Sequence, residues 1–492
     1  PSNVVELEDG ERPRSKEARY RMLERLADHD DSLLEQLLEE IEPPRDRVFD
    51  DLARELRAGQ VVPVLLGSAL HGNGVLRLLK ALRHEAPGVT ATAARHGIEP
   101  TGDPLAFVMK SMHTPHGGKL SVVRMLRGTI ADGATVTGSG GQSARIAAMQ
   151  RLTGAAAVKV AEAGPGETMA LAKLDPVATG ELVSTGKLPA GVALSGSPTP
   201  APVLAVAVTP TERKDEVKVS AAVAKLLDED PSYRFAHDEE ASEMRLEGQG
   251  EMHLRVAIER LSGRFGVDVT SRPPSIGYRE TIRKAATVRG RHKKQTGGHG
   301  QFGDVVLEIA PLARGEGFRF AEKVTGGVVP RQFFPSVEKG VRDFLKAGPL
   351  GFPMVDFAVT LVDGSYHAVD SSDAAFQAAA RIGMSEGVPQ CQPVLLEPVL
   401  HVEITVPSEA TAKINAIVSA RRGQILGFDA RPDWPGWDVV VALIPEADMG
   451  DLIVELRSAS AGTGSFVARF DHLAELSGRL ADQVVASRQA AA

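Results

Sequence analysis

Between Ser15 and Glu40 the apolar residues Tyr20, Leu23, Leu26, Leu33, Leu34, Leu37 and Leu38 recur at helical spacing among carboxylates and arginines. That spacing predicts one or two acidic surface helices. Pro43-Pro44 stops them, and residues 48–57 predict a further helix ending near Gly59. The continuous apolar run 61–66 leads into Gly67-Ser68-Ala69-Leu70 and a helical stretch at 75–82. Apolar strand, small-residue loop and helix together predict the edge of a parallel α/β sheet. Residues 87–103, rich in Ala, Thr, Gly and Pro without a period, read as a linker. From Pro104 to Gly196 the pattern is all β. Strands are expected at 105–109, 120–126 and 169–172 between the turn signals Gly117-Gly118, Asp132-Gly133 and 138–141, giving a small β-barrel. Residues 197–202 form a second linker.

Two later stretches share a β-α-β-β-α-β reading, a repeat of architecture rather than of residues. In the first, 203–270, strands are expected at 203–208, 233–236 and 243–246 and helices at 215–227 and 251–265, with Leu254, Ile258 and Leu261 on one helical face. In the second, from Pro398 to about Leu476, helices are expected at 408–420 and 446–458. Both are split-βαβ sandwiches. Between them, strands carrying Val305, Leu307 and Ile309, then Phe318 and Phe320, then 355–362, surround helices at 334–345 and 374–382, a fourth α/β module. The last dozen residues show no apolar pattern and are expected to fray.

Five segments in 492 residues agree with a chain of modules rather than one core. Hydrophobic residues at 43% and charged residues at 24% describe ordinary globular protein. No window reaches the roughly 18–20 apolar residues that cross a bilayer, and no charged-then-apolar leader opens the chain, so neither membrane insertion nor secretion is expected. The lone Cys391 fits a reducing compartment, hence a cytoplasmic protein without disulfides or a thiolate zinc site. The net charge of −8 sits almost wholly in residues 1–60, which hold 17 acids and 10 bases. A separate basic surface is therefore possible farther along.

That surface is legible from Arg283 to Lys294, where six of twelve residues are Lys or Arg and no acid intervenes. Lys293 and Lys294 run directly into Gln295, Thr296, Gly297, Gly298, His299, Gly300, Gln301, Phe302 and Gly303. Basic charge beside bare backbone amides suits phosphate contact; a solvated basic strand with a glycine hairpin is the alternative. Neither a Walker loop nor a dinucleotide loop occurs anywhere, so this is not an ATP or GTP site. Residues 363–373 combine Ser365, Tyr366, His367, Asp370, Ser371, Ser372 and Asp373. His367 could be a general base oriented by Asp370 or Asp373, or Ser371 or Ser372 could cap the following helix, leaving His367 a loop recognition residue. No nucleophile or metal set accompanies it, and no catalytic or metal-binding residue is assigned. Arg421 and Arg422, where a helix stops, either bind phosphate or complement the helix dipole. His253, in the turn from Gly248 to Leu254, is expected to be packed or solvated.

Taken in order, these features resemble bacterial translation elongation factor G. The matching motifs are residues 247–254, 278–282, 293–303, 326–330 with 337–340, 363–376, 393–398 and 421–425. The resemblance implies a multidomain α+β and β protein. A remnant of a GTP-binding domain with an acidic insert would occupy 1–88, a β-barrel 101–196, and a ferredoxin-like sandwich 203–277. An RNA-reaching, ribosomal-protein-like α/β module would follow at 278–397 and a second ferredoxin-like sandwich at 398–480. It further implies a monomeric, cytoplasmic, ribosome-binding partner of ribosomal RNA and of the tRNA–mRNA pair in the decoding region, not of DNA. The tip loops would be 296–302 and 365–370, and Arg421 and Arg422 would meet ribosomal RNA phosphate.

The chain departs from the family at its start. Ser68, Ala69 and Leu70 resemble the last guanine-contacting loop. The phosphate loop, magnesium-binding threonine, D-x-x-G switch and N-K-x-D reader have no counterpart. GTP and Mg are expected only with the missing domain, and this stretch alone should not hydrolyse GTP. His299 stands where many members carry arginine. A chain opening on Pro1 and an interrupted sheet favour a trimmed translocation factor over a natural ribosome-binding or regulatory protein without the GTP-binding domain. A hydrolase built on His367 and Asp370 is the remaining reading.

Overall fold

The computed structural model describes residues 9–114, 118–154, 156–192, 194, 199–239, 241–295, 300–326 and 328–491. They fall into two compact units, residues 1–198 and 199–492.

The first unit opens with helices Arg12–Ala27, Asp31–Leu38 and Arg45–Ala58. Asp30 caps the second, its carboxylate accepting the amides of Ser32 and Leu33 at 3.0 Å each. The helices bury Leu23, Leu26, Leu33 and Val48 against one another. Residues 61–66 then run extended without becoming the expected strand. Among the described residues no strand lies beside them; the nearest pairing is the bridge Ser68 to Asn73. Val62, Val64 and Leu66 are accordingly more than 80% exposed, and helix Val75–Glu85 buries none of its residues. The linker after it holds a short helix, Val89–Arg95, whose Ala93 packs with Ile98, Leu105, Leu126 and Leu182.

Eight antiparallel strands follow, hydrogen-bonded in the order Ser143–Arg145, Thr135–Gly138, Leu182–Ser184, Leu105–Thr114, Gly118–Arg127, Thr168–Ala172, Met149–Thr153 and Ala156–Lys159. The order is open, so the expected barrel does not close. Its end strands are three and four residues long and lie at the surface, too short to form a closing ladder. Val108, Val123, Met125, Met149 and Leu171 fill the core beneath.

In the second unit, strands Leu204–Pro210, Arg234–Asp238, Glu243–Gly248 and Val269–Arg272 alternate with helices Glu216–Glu229 and Glu251–Phe265. The sheet order is second, third, first, fourth, all antiparallel. Strands Pro393–Pro407, Gln424–Ala430, Trp437–Pro445 and Ser465–Leu476 repeat that order with helices Thr411–Ala420 and Leu452–Ala459. Two ferredoxin-like sandwiches result. Strand Pro393–Pro407 is continuous for 15 residues, so the module border expected at Pro398 falls inside it. The chain's last helix, Arg479–Ala491, replaces the expected frayed tail. Its Ala481, Val484 and Val485 pack on Phe352, Leu395 and Leu476.

Between the sandwiches, strands Ala286–Lys294, Gln301–Pro311, Phe357–Ser365 and Phe318–Glu322 lie side by side in that order, the last pair parallel. Helices Phe334–Leu345 and Asp373–Gly387 cover one face. The second helix approaches unusually closely. A Cβ on Gly290 would lie 2.1 Å from the Ala379 carbonyl oxygen, and one on Gly303 would lie 2.5 Å from that of Ala375. Gly340 of the first helix meets the Gln377 carbonyl oxygen in the same way, at 2.5 Å. Glycine here is required by space.

Strand Arg279–Ile282 joins the edge of strand Pro393–Pro407 and carries Glu280, which is fully buried. Its carboxylate accepts the amides of Leu350 and Phe352 at 3.0 and 2.7 Å. Burial pushes this carboxyl above its ordinary range, against the pull of those amides.

Two outcomes follow from the packing. Gly290→Ala should lower stability by roughly 1–3 kcal/mol in urea unfolding, because backbone rather than a flexible side chain must move. Glu280 has its folded value raised. Its stabilising contribution is complete below the unfolded value near about 4.3 and is lost as pH rises through the folded one. Urea midpoints measured from about pH 4 to 8 should therefore decline more steeply in the parent than in Glu280→Gln. Equal slopes would remove that contribution.

Candidate nucleic-acid interface

Alternation along strand Ala286–Lys294 places Arg289, Arg291 and Lys293 on the solvent face, while Val288 and Gly290 face the helices. The neighbouring strand pairs Lys293 with Phe302 and Lys294 with Gln301, so the basic end of the strand is the end of the sheet. The basic run is nevertheless not uniform. Arg289 grips Asp304 with Nε to Oδ1 at 2.8 Å and Nη2 to Oδ2 at 2.5 Å. Asp304 is fully buried and also accepts the Ser365 hydroxyl at 2.5 Å. The Arg289 hydrogen bonds hold the Asp304 carboxyl below its ordinary range. Arg289 and Ser365 therefore brace the sheet.

Arg291 lies over the Phe302 ring at 5.5 Å, and the His367 ring meets the same phenyl edge-on at 6.4 Å. His292 Nε2 is 3.0 Å from Gln301 Oε1. Lys293, Lys294 and Gln295 are exposed, and among the described residues neither lysine has a carboxylate partner. Thr296, Gly297, Gly298 and His299 lie outside the described residues. Gly303, expected in the loop, sits in the strand against Ala375 and is not free to meet phosphate.

The second segment comes to the same end. The Phe302 amide donates to the Asp370 carbonyl at 2.8 Å, and the Ser371 hydroxyl donates to the Phe302 carbonyl at 2.9 Å. The Gly300 amide donates to Asp370 Oδ1 at 3.0 Å. Ser372 is the helix cap, its Oγ accepting the Ala375 amide, and Asp373 accepts the Ser336 hydroxyl at 2.6 Å. Tyr366, His367 and Val369 remain exposed. His367 Nδ1 lies 3.2 Å from Asp370 Oδ2. The Ser371 hydroxyl gives its proton to a carbonyl rather than to the imidazole. The arrangement offers two ammonium groups, exposed rings and a braced backbone, suited to phosphate and base contact. Phe302 was not singled out as a ring platform; its signal is its register opposite Lys293 at the end of the sheet.

Arg421 and Arg422 do not join this surface, nor are they free for phosphate. Arg421 Nη2 lies 2.7 Å from Asp451 and 3.1 Å from Glu455. Its Nη1 donates to the Asp448 carbonyl at 2.6 Å. Arg422 takes Glu397 in a two-pronged pair at 2.7 and 2.9 Å and reaches Asp448 with Nε at 2.8 Å. Glu397 is buried, and its hydrogen bonds hold the guanidinium above its ordinary value. Arg422 adopts φ +54, an uncommon backbone for a side chain of this size. The arginines fasten the second sandwich through these carboxylates, which compete with solvent for them.

His253 is likewise structural. It stacks on Tyr233 with ring centroids 3.7 Å apart, accepts the Gln249 amide at Nδ1 and meets Asp230 with Nε2 at 3.1 Å. In the other unit, Ser68, Ala69 and Leu70 form a surface turn. Ser68 Oγ accepts the His71 amide, and Leu70 is exposed.

Four family models match successive parts of the chain. "Elongation factor G domain 2" covers residues 103–186, and "Elongation Factor G, domain III" covers 199–273. "Elongation factor G, domain IV" covers 274–392, and "Elongation factor G C-terminus" covers 394–484. An elongation factor G-like protein of Synechocystis sp. is 48% identical over 467 residues, spanning 94% of this chain and 68% of the relative. Elongation factor G of Aquifex pyrophilus is 35% identical over 502 residues, spanning 99% and 71%. A crystal structure of a protein from Thermus thermophilus superposes with a TM-score of 0.75 at 34% identity, covering 99% of this chain and 72% of that one.

The arginine pair generates a prediction that separates bracing from contact. Arg422→Ala strands the Glu397 carboxylate in the interior and should lower stability by about 1–3 kcal/mol in urea unfolding. A variant as stable as the parent would return Arg422 to the set of surface contacts.

Proposed function

Because the chain belongs to the elongation factor G family, we propose that it works on the ribosome, presenting residues 293–301 and 365–370 to the messenger and transfer RNA of the decoding region. It is a translation elongation factor-like protein. In the proposed role it promotes movement of tRNA and mRNA once joined to a GTP-binding module, as a monomer in the cytoplasm. Among the described residues no helix is long and apolar enough to cross a membrane.

The observation that carries this reading is the convergence at one end of the sheet. Lys293 and Lys294 lie exposed beside Phe302, and the backbone ladder at Phe302 brings Tyr366 and His367 to the same place. Ammonium groups attract phosphate without reading sequence, which suits a factor acting at every codon. Exposed rings add stacking that tolerates any base.

The first unit supports the joined GTP-binding module. Val62, Val64 and Leu66 on the extended run, with Leu76, Leu79 and Leu82 on the next helix, leave apolar surface that water does not favour. In the proposal that module covers it and supplies GTP and Mg. Of such a nucleotide site this chain carries only the turn of Ser68, Ala69 and Leu70. No group of metal-ligating side chains occurs among the described residues. In this proposal the chain's own part is binding and positioning.

Lys293→Glu with Lys294→Glu should weaken binding to bacterial ribosomes without changing the unfolding midpoint. The slope of log affinity against log salt should become shallower by about one for each lysine removed. Affinity and slope equal to the parent's would overturn the assignment of this end of the sheet.

A further inference from the structure

The two segments at the end of the sheet are 70 residues apart in sequence, yet one side chain touches both. We propose that Asp370 is a positioning residue that locks the two segments into one arrangement for RNA contact. The inference rests on the reading that this end of the sheet meets ribosomal or ribosome-bound RNA.

The two oxygens of the Asp370 carboxylate face different segments. Oδ1 accepts the Gly300 amide at 3.0 Å, one residue before strand Gln301–Pro311. Oδ2 lies 3.2 Å from Nδ1 of His367, on Asp370's own segment. The backbone of Asp370 is held separately, its carbonyl accepting the Phe302 amide at 2.8 Å. Ser371 adds the next rung through the Phe302 carbonyl and accepts the His367 amide at 2.9 Å. Main chain thus sets where Asp370 stands, and the Val369 and Asp370 amides also donate to His367 Nδ1 at 3.4 and 3.3 Å, so the Asp370 side chain is left to hold Gly300 and to lie against the His367 ring. Gly300 has no room to spare, since a Cβ there would lie 3.0 Å from the carboxyl carbon.

The physical gain is preorganisation. An exposed imidazole and a glycine backbone both sample many orientations in water, and binding RNA from that ensemble loses the entropy of ordering them. A carboxylate shared between them removes much of that loss before contact. Because the ladder at Phe302 and the Ser372 cap do not involve this carboxylate, the fold does not need it. That separation makes the role measurable.

Three variants of the full chain test it: Asp370→Ala, Asp370→Asn and the Lys293→Glu, Lys294→Glu pair. Each is followed by hydrogen exchange at Gly300, thermal midpoint and sedimentation with bacterial ribosomes. Asp370→Ala should speed exchange at Gly300, leave the midpoint unchanged and weaken ribosome binding roughly tenfold. Asp370→Asn keeps an oxygen for the Gly300 amide and should restore slow exchange and most of the binding. If Asp370→Ala binds like the parent while the lysine pair does not, the positioning role is overturned and the reading of the interface stands. If both bind like the parent, the reading of the interface fails and takes this inference with it. An early-melting Asp370→Ala would make Asp370 a residue of the fold and would also overturn the proposal.

Discussion

The close seating of helix Asp373–Gly387 on strands Ala286–Lys294 and Gln301–Pro311 is the constraint from which the rest of the candidate interface follows. Carbonyls of Ala375 and Ala379 press against Gly303 and Gly290 at distances no side chain would allow. With the first turn of the helix fixed on Gly303, the residues just before it have nowhere to lie except along Phe302. Asp370, Ser371 and Ser372 then find their partners at 300, 302 and 375. Two segments remote in sequence become neighbours because one helix sits about a methyl group closer than usual.

Charge is divided by residue type. Arg289, Arg421 and Arg422 are paired with carboxylates, where the planar fork can bind two oxygens at once. Lys293 and Lys294, compact and strongly hydrated, are left at the surface. A tally of basic residues along residues 283–294 therefore overstates the charge available to a partner.

Much of the second unit was legible because its apolar spacing is local. Val305, Leu307 and Ile309 alternate into the core, and the faces of helices Glu251–Phe265 and Phe334–Leu345 follow the helical period. What escaped was decided by partners distant in sequence. Arg421 and Arg422 look like phosphate ligands until Glu397, Asp448 and Asp451 are seen beside them. Residues 61–66 have every local mark of a strand but no neighbour to pair with among the described residues. Pro398 suggests a border, yet the strand runs through it, with Pro398 opposite Leu473. The last helix has few apolar residues to show a period, and those it has, Ala481, Val484 and Val485, find partners in Phe352 and Leu395, distant in sequence.

Strand Pro393–Pro407 also has a mechanical consequence. Its first residues pair with strand Arg279–Ile282, and its length is flanked by strands Ser465–Leu476 and Trp437–Pro445. A pull along its axis loads these ladders in shear, so many hydrogen bonds share the force rather than opening one after another like a zip. The sheet module and the second sandwich are thereby joined through one continuous, doubly flanked strand rather than through a free linker.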